Sequence, residues 1–485
     1  MDLLIGLDLG TSAIKGVLVS SEGDVLAQKK CLTQLLRPQH NYVEFSPCTH
    51  YKTVCGLIRS LCSNTPAKSK VKAISMAAAS GNTLLLDKNN RPLTNIISWL
   101  DNRTDKNILP NLDQDKVHNI IGWPWSGGFP MAHLAWLKKN RPHVYNKACR
   151  FAMNTDYLLY RLTGCWGMDT STATTFYLQD QVNSCWYKPY LDELKIKEDS
   201  LSKLMPSGSK LGFLTQDAAN DTGLSTDTLV VLGAFDHPSA ARGTGTLDPG
   251  DLLVSCGTSW VGFYPIQNRD IALAQNMLIA PFLRPSGPWG AMFSLPCIGE
   301  RIDCYIDNVI ANAKTQISWT EKYSQFNINA QKSTLGANGL FLDMFDDIKT
   351  IESNLSYLKR SYNTRDISRA VMEGVAYKMR ERIEKLSFAG IAAGNITMVG
   401  GPSESPIWPQ IFSDVTGLEV KLLNGQNAGA LGAAILAGIG AGIFKDETEG
   451  FNAIGGKAGI VTPDKISHNE YNHLFEEIIK KHKEI

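Results

Sequence analysis

The sequence predicts a two-lobed α/β protein, and three observations carry that prediction. The first is length. At 485 residues the chain exceeds what one hydrophobic core ordinarily organises, so two domains are expected. The second is an echo between the two halves. Near the start the chain reads Leu4-Ile-Gly-Leu-Asp8-Leu-Gly10-Thr11-Ser12-Ala-Ile-Lys15-Gly16. Past the middle it reads Leu252-Leu-Val-Ser-Cys-Gly257-Thr258-Ser259-Trp-Val-Gly. Each stretch is an apolar run, then Gly-Thr-Ser, then a second apolar run. The third is the alternation of short apolar runs with helical stretches along both halves.

The echoed stretches have the pattern of β-hairpins closed by tight glycine turns. At such turns backbone N–H groups converge, and Thr and Ser add hydroxyl donors, which makes a concave anion site. One such site per half points to a polyphosphate gripped from both sides.

The elements follow in order. The first hairpin leads to a third strand at 24–31. Residues 47–61 have helical spacing with Pro47 at their start. Strands at 71–76 and 83–86 flank a small-residue turn, Ala79-Ser80-Gly81-Asn82, and 96–99 is a further short strand. Residues 131–139 read as a helix ending at Asn140, with Pro142 beyond. Residues 157–162 form another, closed by Thr163-Gly164. An apolar strand at 230–234 delivers Phe235-Asp236-His237-Pro238, and a short helix follows. The lobe boundary falls between Gly243 and Gly250, which divides the chain into 1–245 and 246–485. In the second half, 367–386 is a long helix and 396–399 a strand running into Gly400-Gly401-Pro402. Residues 407–415 are a helix, 420–423 a strand and 428–437 a helix. Residues 471–481 form an amphipathic tail helix.

Composition excludes several classes. Hydrophobic residues make up 43% and charged residues 20%, with a formal net charge of +1. No field exists to hold nucleic acid or an anionic membrane. The uncharged run 428–444 is too short to span a bilayer and reads as a buried helix plus turn. Met1-Asp2 leads straight into a strand, and the ten cysteines show no CxxC pair or zinc spacing. A cytoplasmic protein with small buried cysteines is expected.

These residues resemble the FGGY family of carbohydrate kinases, of the actin-like ATPase superfamily, over essentially the whole chain and in the family's order. Asp8 to Lys15 is similar to the first phosphate loop. Val43-Glu44-Phe-Ser-Pro47 is similar to the V-E-x-x-P stretch, and Leu86-Asp87 with Trp99-Leu-Asp101-Asn-Arg103 to the family's W-x-D-x-R region. Asp156-Tyr157-Leu with Arg161-Leu-Thr-Gly164 matches D-Y-L…R-L-T-G. Gly233-Ala-Phe-Asp236 matches G-x-x-D, and Ser255 to Ser259 the second phosphate loop. Gly400-Gly401 followed by 406–414 resembles the adenosine segment.

The resemblance implies two actin-like lobes facing across a central cleft, the first for sugar and the second for ATP. It implies Asp236 as the general base that takes the proton of the attacking sugar hydroxyl. The bare sequence also places a carboxylate there, at a strand end, where α/β sites gather; its alternative is a helix cap beside Pro238. Asp8 is implied as the Mg²⁺ contact. Thr11, Ser12 and Lys15 would face the phosphates from one lobe, and Gly257, Thr258 and Ser259 from the other. Gly400, Gly401 and Glu404 would receive the nucleoside.

Ser80, Gly81, Asn82, Trp99, Asp101, Arg103 and His237 are the expected substrate contacts. Asp101 and Arg103 are equally readable as a structural ion pair, and Trp123 and Trp125 as cleft or core. Xylulose kinases of the family carry Met-His where this chain has Ser80-Gly81, so the pocket is expected to lose bulk. The expected substrate is then a ketose or polyol of the pentulose class or somewhat larger. His133 stands where the family has lysine, and 343–347 replace a Gly-rich stretch. A homodimer is the expected assembly. The competing readings are a non-sugar actin-like ATPase and an inactive kinase-derived binding protein.

Overall fold

A computed structural model describes residues 1–63, 70–283, 287–310, 317–344, 358, 361–423, 425–456 and 458–483. Of the 343–347 stretch, 345–347 lie outside the described residues. The chain forms two compact units. Unit 1 comprises Met1–Asp248, Pro265–Ala291 and Asn427–Gly456; unit 2 comprises Pro249–Tyr264, Met292–Gln426 and Lys457–Ile485. The units are therefore not continuous in sequence: two later segments pack with the first half of the chain. Among the described residues no helix is long and apolar enough to cross a membrane.

Unit 1 is built on a six-stranded sheet, ordered Lys210–Phe213, Leu229–Phe235, Lys70–Ala78, Asp2–Leu9, Ala13–Ser20, Val25–Leu32. The three strands Leu229–Phe235, Lys70–Ala78 and Asp2–Leu9 run parallel, and in register Asp8 and Ala234 both lie opposite Ala77. The side-chain period of two sorts the first strand into two faces. Leu3, Ile5, Leu7 and Leu9 pack with Val54, Ile58 and Leu61 of the Pro47–Leu61 helix. Leu4, Val17 and Val19 on the other face pack with Ala430, Ala434 and Ala437 of the Ala428–Ala441 helix. Both faces are covered, as parallel strands require.

The small residues of the Ala428–Ala441 helix have a steric reason. A Cβ on Gly6 would come within 1.8 Å of the Ala430 carbonyl oxygen, and one on Gly432 within 1.8 Å of the Ser239 carbonyl oxygen. The helix lies directly on the sheet and on the Asp236–Gly243 helix. Its first turn reaches the end of the first strand, where a Cβ on Gly429 would meet the Asp8 carboxyl at 3.0 Å.

Unit 2 repeats the opening hairpin. Asp251–Cys256 and Trp260–Ile266 pair antiparallel around the 257–259 turn. Asp251–Cys256 also pairs in parallel with Asn395–Gly400, which pairs with Glu419–Leu422, and Gly459–Val461 closes the edge antiparallel. The predicted long helix is Thr364–Phe388, and the tail helix runs Lys465–Lys483. Glu373 of the first accepts hydrogen bonds from Arg369 and from the Tyr471 hydroxyl of the second, at 2.7 Å each.

Candidate active site

In unit 1 the C-terminal ends of three adjacent parallel strands deliver the chemistry-bearing residues. Asp8 lies near the end of Asp2–Leu9, the 79–82 turn follows Lys70–Ala78, and Asp236 follows Leu229–Phe235. Such strand ends are where open α/β sheets bind ligands. Asp236 opens the Asp236–Gly243 helix, and its Oδ1 accepts the His237 backbone N–H at 2.7 Å. The side chain is 32% exposed, with the His237 Nε2 4.0 Å away. Burial by the surrounding protein raises the Asp236 carboxyl above the ordinary carboxylate range, and the His237 ring and backbone N–H partly offset it.

Asp8 is pushed up to about 6, first by burial and then by the like charge of Asp236, with Lys15 opposing. Lys15 lies directly opposite Asp8 in the hairpin register. A carboxylate raised by a second carboxylate's charge marks a place where a cation is welcome. The 10–12 turn is tight because a Cβ on Gly10 would come within 2.7 Å of the Ala13 carbonyl oxygen. Ser12 is exposed. Thr11 accepts the Trp99 indole N–H at 2.9 Å, which leaves its own hydroxyl proton free to donate. Trp99 is 39% exposed.

The other expected substrate contacts are committed to the protein. The Asn82 amide donates to the Ala79 carbonyl and to Asn154, and its oxygen accepts the Trp99 backbone N–H. Ser80 is buried and donates to the Ala78 carbonyl at 3.3 Å. Asp101 is fully buried; it accepts from the Val43 N–H at 2.6 Å and from Arg103 Nε at 2.8 Å. Arg103 also donates to Glu44 and lies over the Tyr42 ring, 3.9 Å from its centroid. This is the structural ion pair, complete on both sides.

Trp123 and Trp125 are buried, with their indole N–H groups donated to the Ile279 and Lys106 carbonyls. His133 is buried, bonded through Nδ1 to Thr83, and lowered to about 3 by burial. A neutral ring therefore stands where the family resemblance would place a lysine charge.

One expectation is corrected. The room anticipated beside Gly81 is not empty. Gly81 has φ +91°, and a Cβ there would meet Phe129 Cδ1 at 2.7 Å and Cε1 at 2.8 Å. The bulk missing from the turn is supplied by a ring from the residue preceding the Pro130–Asn140 helix. Sequence spacing gives no signal for this, because the two residues are neighbours only in the fold.

Unit 2 holds a cavity of about 670 Å³, within the range of small-molecule sites. Gly257, Thr258, Gly401 and Glu404 line it, together with Tyr323 and Asn327. Gly257 and Thr258 are exposed. The N-terminus of the Ile298–Ile310 helix is held against them: Gly299 N–H donates to the Thr258 carbonyl at 2.8 Å. A glycine turn joined to a helix N-terminus is a ready-made phosphate cradle. Ser259 lies on the same turn and is half-buried.

Gly400 pairs with Cys256 across the sheet and has φ +103°; a Cβ there would come within 2.5 Å of the Cys256 carbonyl oxygen. Nothing obstructs Gly401, which leaves bare backbone on the cavity wall. Glu404 is exposed and accepts from Gln426 at 3.3 Å.

Sequence reasoning missed Gly299, Tyr323 and Asn327. Tyr323 and Asn327 lie on the Trp319–Gln331 helix, which carries no recognisable motif. Asn327 accepts the Ser405 hydroxyl at 2.7 Å.

Comparison with known proteins shows the family. The model of the FGGY carbohydrate kinase N-terminal domain matches residues 3–243, and that of the C-terminal domain matches 252–441. Among curated relatives, a xylulose kinase of Staphylococcus epidermidis is 27% identical over 500 residues, covering 100% of this chain and 98% of that protein. An autoinducer-2 kinase of Yersinia enterocolitica is 27% identical over 465 residues, covering 92% and 87%. Among solved structures, the xylulose kinase from Rhodospirillum rubrum superposes with a TM-score of 0.87 at 21% identity, covering 99% and 98%. Gluconate kinase from Lactobacillus acidophilus superposes with a TM-score of 0.82 at 21% identity, covering 99% and 98%.

Proposed function

Because the chain belongs to the FGGY family of carbohydrate kinases and is an ATP-dependent sugar kinase, we propose that it phosphorylates a primary hydroxyl of a ketose or polyol of the pentulose class, with Asp236 as general base. The observation that carries this reading is the Asp236 carboxylate. One oxygen is spent on the helix start, at the His237 N–H. The other has no side-chain partner among the described residues. Burial raises its pKa, which makes it a stronger base than an ordinary carboxylate.

Residues 1–245 would carry the sugar and the first phosphate loop, and 246–485 the ATP site. Thr11, Ser12 and Lys15 would meet phosphate oxygens from the first part, and Gly257, Thr258 and Ser259 from the second. Gly400, Gly401 and Glu404 would border the nucleoside. In the sugar site Trp99 offers an aromatic plane and His237 a polar edge.

Mg²⁺ fits the residues present. Asp8 is a half-buried carboxylate crowded by a second one. That suits an ion held by one or two carboxylates plus phosphate oxygens and water. Asp8 would hold it, and when bound it would neutralise charge on the transferring phosphate.

The test is a coupled assay of ADP release with glycerol, xylulose, ribulose and a seven-carbon ketose. Turnover that depends on a ketose supports the reading. Glycerol as the best of the four would overturn the substrate class. ATP turnover that needs no polyol would favour the plain ATPase.

A further inference from the structure

We infer that His50 holds one buried water against the Gly10-Thr11 turn and through it fixes the placement of the first phosphate loop. The water site stands on the geometry of unit 1 alone. Its part in phosphoryl transfer rests on the kinase reading above.

His50 lies in the first turn of the Pro47–Leu61 helix, which is rooted in the core through Val54, Ile58 and Leu61. The His50 ring is 6% exposed and meets the Phe45 ring edge-on, 5.0 Å between centroids. Its Nε2 is buried and has no hydrogen-bond partner among the described residues. Burial lowers the ring to about 4, so at neutral pH it is uncharged and carries one N–H and one bare nitrogen. Leaving such a polar atom unpaired is costly, and buried water is the usual remedy.

His50 lines a small cavity together with Gly10, Thr11, Thr33 and Ser98. The cavity gives about 10 Å³ of room to a water's centre, the size of a single water site. Its polar groups suit one. The Thr33 hydroxyl donates to the Gly10 carbonyl at 3.1 Å, which leaves its oxygen to accept. Thr11 accepts the Trp99 indole N–H and Ser98 the Leu100 N–H, which leaves each hydroxyl a proton to donate. With His50 these supply the two to four partners that a buried water takes. A second cavity of the same size also touches His50 and Thr33. There Ser46 and Thr53 are spent on the helix itself, at the Thr49 N–H and the Thr49 carbonyl. The water therefore belongs in the first.

The consequence falls on the turn. Thr33 clasps it twice, by its hydroxyl at the Gly10 carbonyl and by its backbone N–H at the Ser12 carbonyl, 3.1 Å each. A water that joins His50 to Thr33 ties this clasp to a helix rooted in the core. Groups that align a transferring phosphate are held best from such rigid elements. His50 is thus a positioning residue, acting on Thr11 and Ser12 through the water.

A high-resolution crystal structure of the ligand-free enzyme should show a water within about 3 Å of His50 Nε2, in the cavity that Thr11 lines. Two variants test the role. His50→Leu keeps the bulk and removes the partner; it should lower kcat about tenfold with the best ketose. Its ADP affinity by calorimetry and its cooperative melt should be retained, because the proposed nucleotide cavity lies in unit 2. His50→Gln, which restores a polar group to the water, should hold kcat within about threefold of the unmodified enzyme. A cavity without water, or a water in the second cavity only, overturns the inference. So does unchanged kcat in His50→Leu, or an equal loss in both variants. Should His50→Leu not fold, the crystal structure and His50→Gln decide. Turnover of no ketose overturns the pentulose reading instead, and the crystal structure then decides the water by itself.

Discussion

Asp236 divides its carboxylate between two tasks, and the division predicts how its loss is felt. Asp236→Ala removes the proton acceptor and should cost ~10²–10⁴-fold in kcat. The residue belongs to unit 1 and the proposed nucleotide cavity to unit 2, so ADP affinity measured by calorimetry should hardly change. Turnover near that of the unmodified enzyme would remove Asp236 from the chemistry.

Asp8 gives a pH-dependent prediction. Its pKa is raised from 3.8 to about 6, so the folded protein holds this proton more tightly than the unfolded chain does. Its contribution to stability is therefore greatest below 3.8 and lost as pH rises through about 6. Asp8→Asn removes a crowded charge at neutral pH. It should raise the melting temperature of the ligand-free protein there, by a free energy on the order of 1–3 kcal/mol. The gain should vanish on acidification toward pH 4. The same variant should lose Mg²⁺-dependent activity. In the unmodified enzyme the Mg²⁺ requirement should steepen as pH falls below about 6, because the ligand must be ionised. A variant that melts earlier at neutral pH would show that Asp8 is held in place by favourable contacts and not crowded.

At the scale of elements, what the sequence disclosed was local. Both Gly-Thr-Ser hairpins, the 79–82 turn, the Pro-initiated helices and the Asp236 strand end were legible, because each is specified by residues adjacent in the chain. The partners of Asn82, Asp101 and Gly81 were not. Whether a polar side chain faces a ligand or its own protein depends on what the fold brings opposite: Asn154 against Asn82, Glu44 and Val43 around the Arg103–Asp101 pair, Phe129 over Gly81. The Ala428–Ala441 helix shows the same limit. Its small residues read correctly as a buried helix, yet their reason lies in distant backbone. Gly432 meets the Ser239 carbonyl so closely that Gly432→Val must push two helices apart. Overpacking of this kind costs about 1–3 kcal/mol or more. Because the displaced helix carries Gly429 against Asp8, activity should fall along with the melting temperature. A variant with unchanged melting would mean that this helix is free to shift.

At the scale of the molecule, sequence order and compact packing part company. A boundary near residue 245 is natural along the chain, and the two family models meet the same region. Yet the face of the first sheet formed by Leu4, Val17, Val19, Leu229 and Val231 is covered by Ala430, Ala434, Ile435 and Ala437, nearly two hundred residues past that boundary. A helix whose sequence gives no hint of its destination closes the core of the earlier unit. This has a direct consequence for the fragment 1–248. Stripped of the 427–456 segment, it would expose the five aliphatic side chains of Leu4, Val17, Val19, Leu229 and Val231. At about 1.5–3 kcal/mol per buried aliphatic side chain, the loss is on the order of 10 kcal/mol. That is comparable to the whole stability of an ordinary domain. The fragment should therefore fail to melt cooperatively and should aggregate or bind a hydrophobic dye, even though it contains Asp8, the 79–82 turn and Asp236. Supplying residues 265–291 and 427–456 through flexible linkers should restore a cooperative transition. A fragment 1–248 that melts cooperatively without them would show that the late helix is an addition to unit 1 and not part of its core.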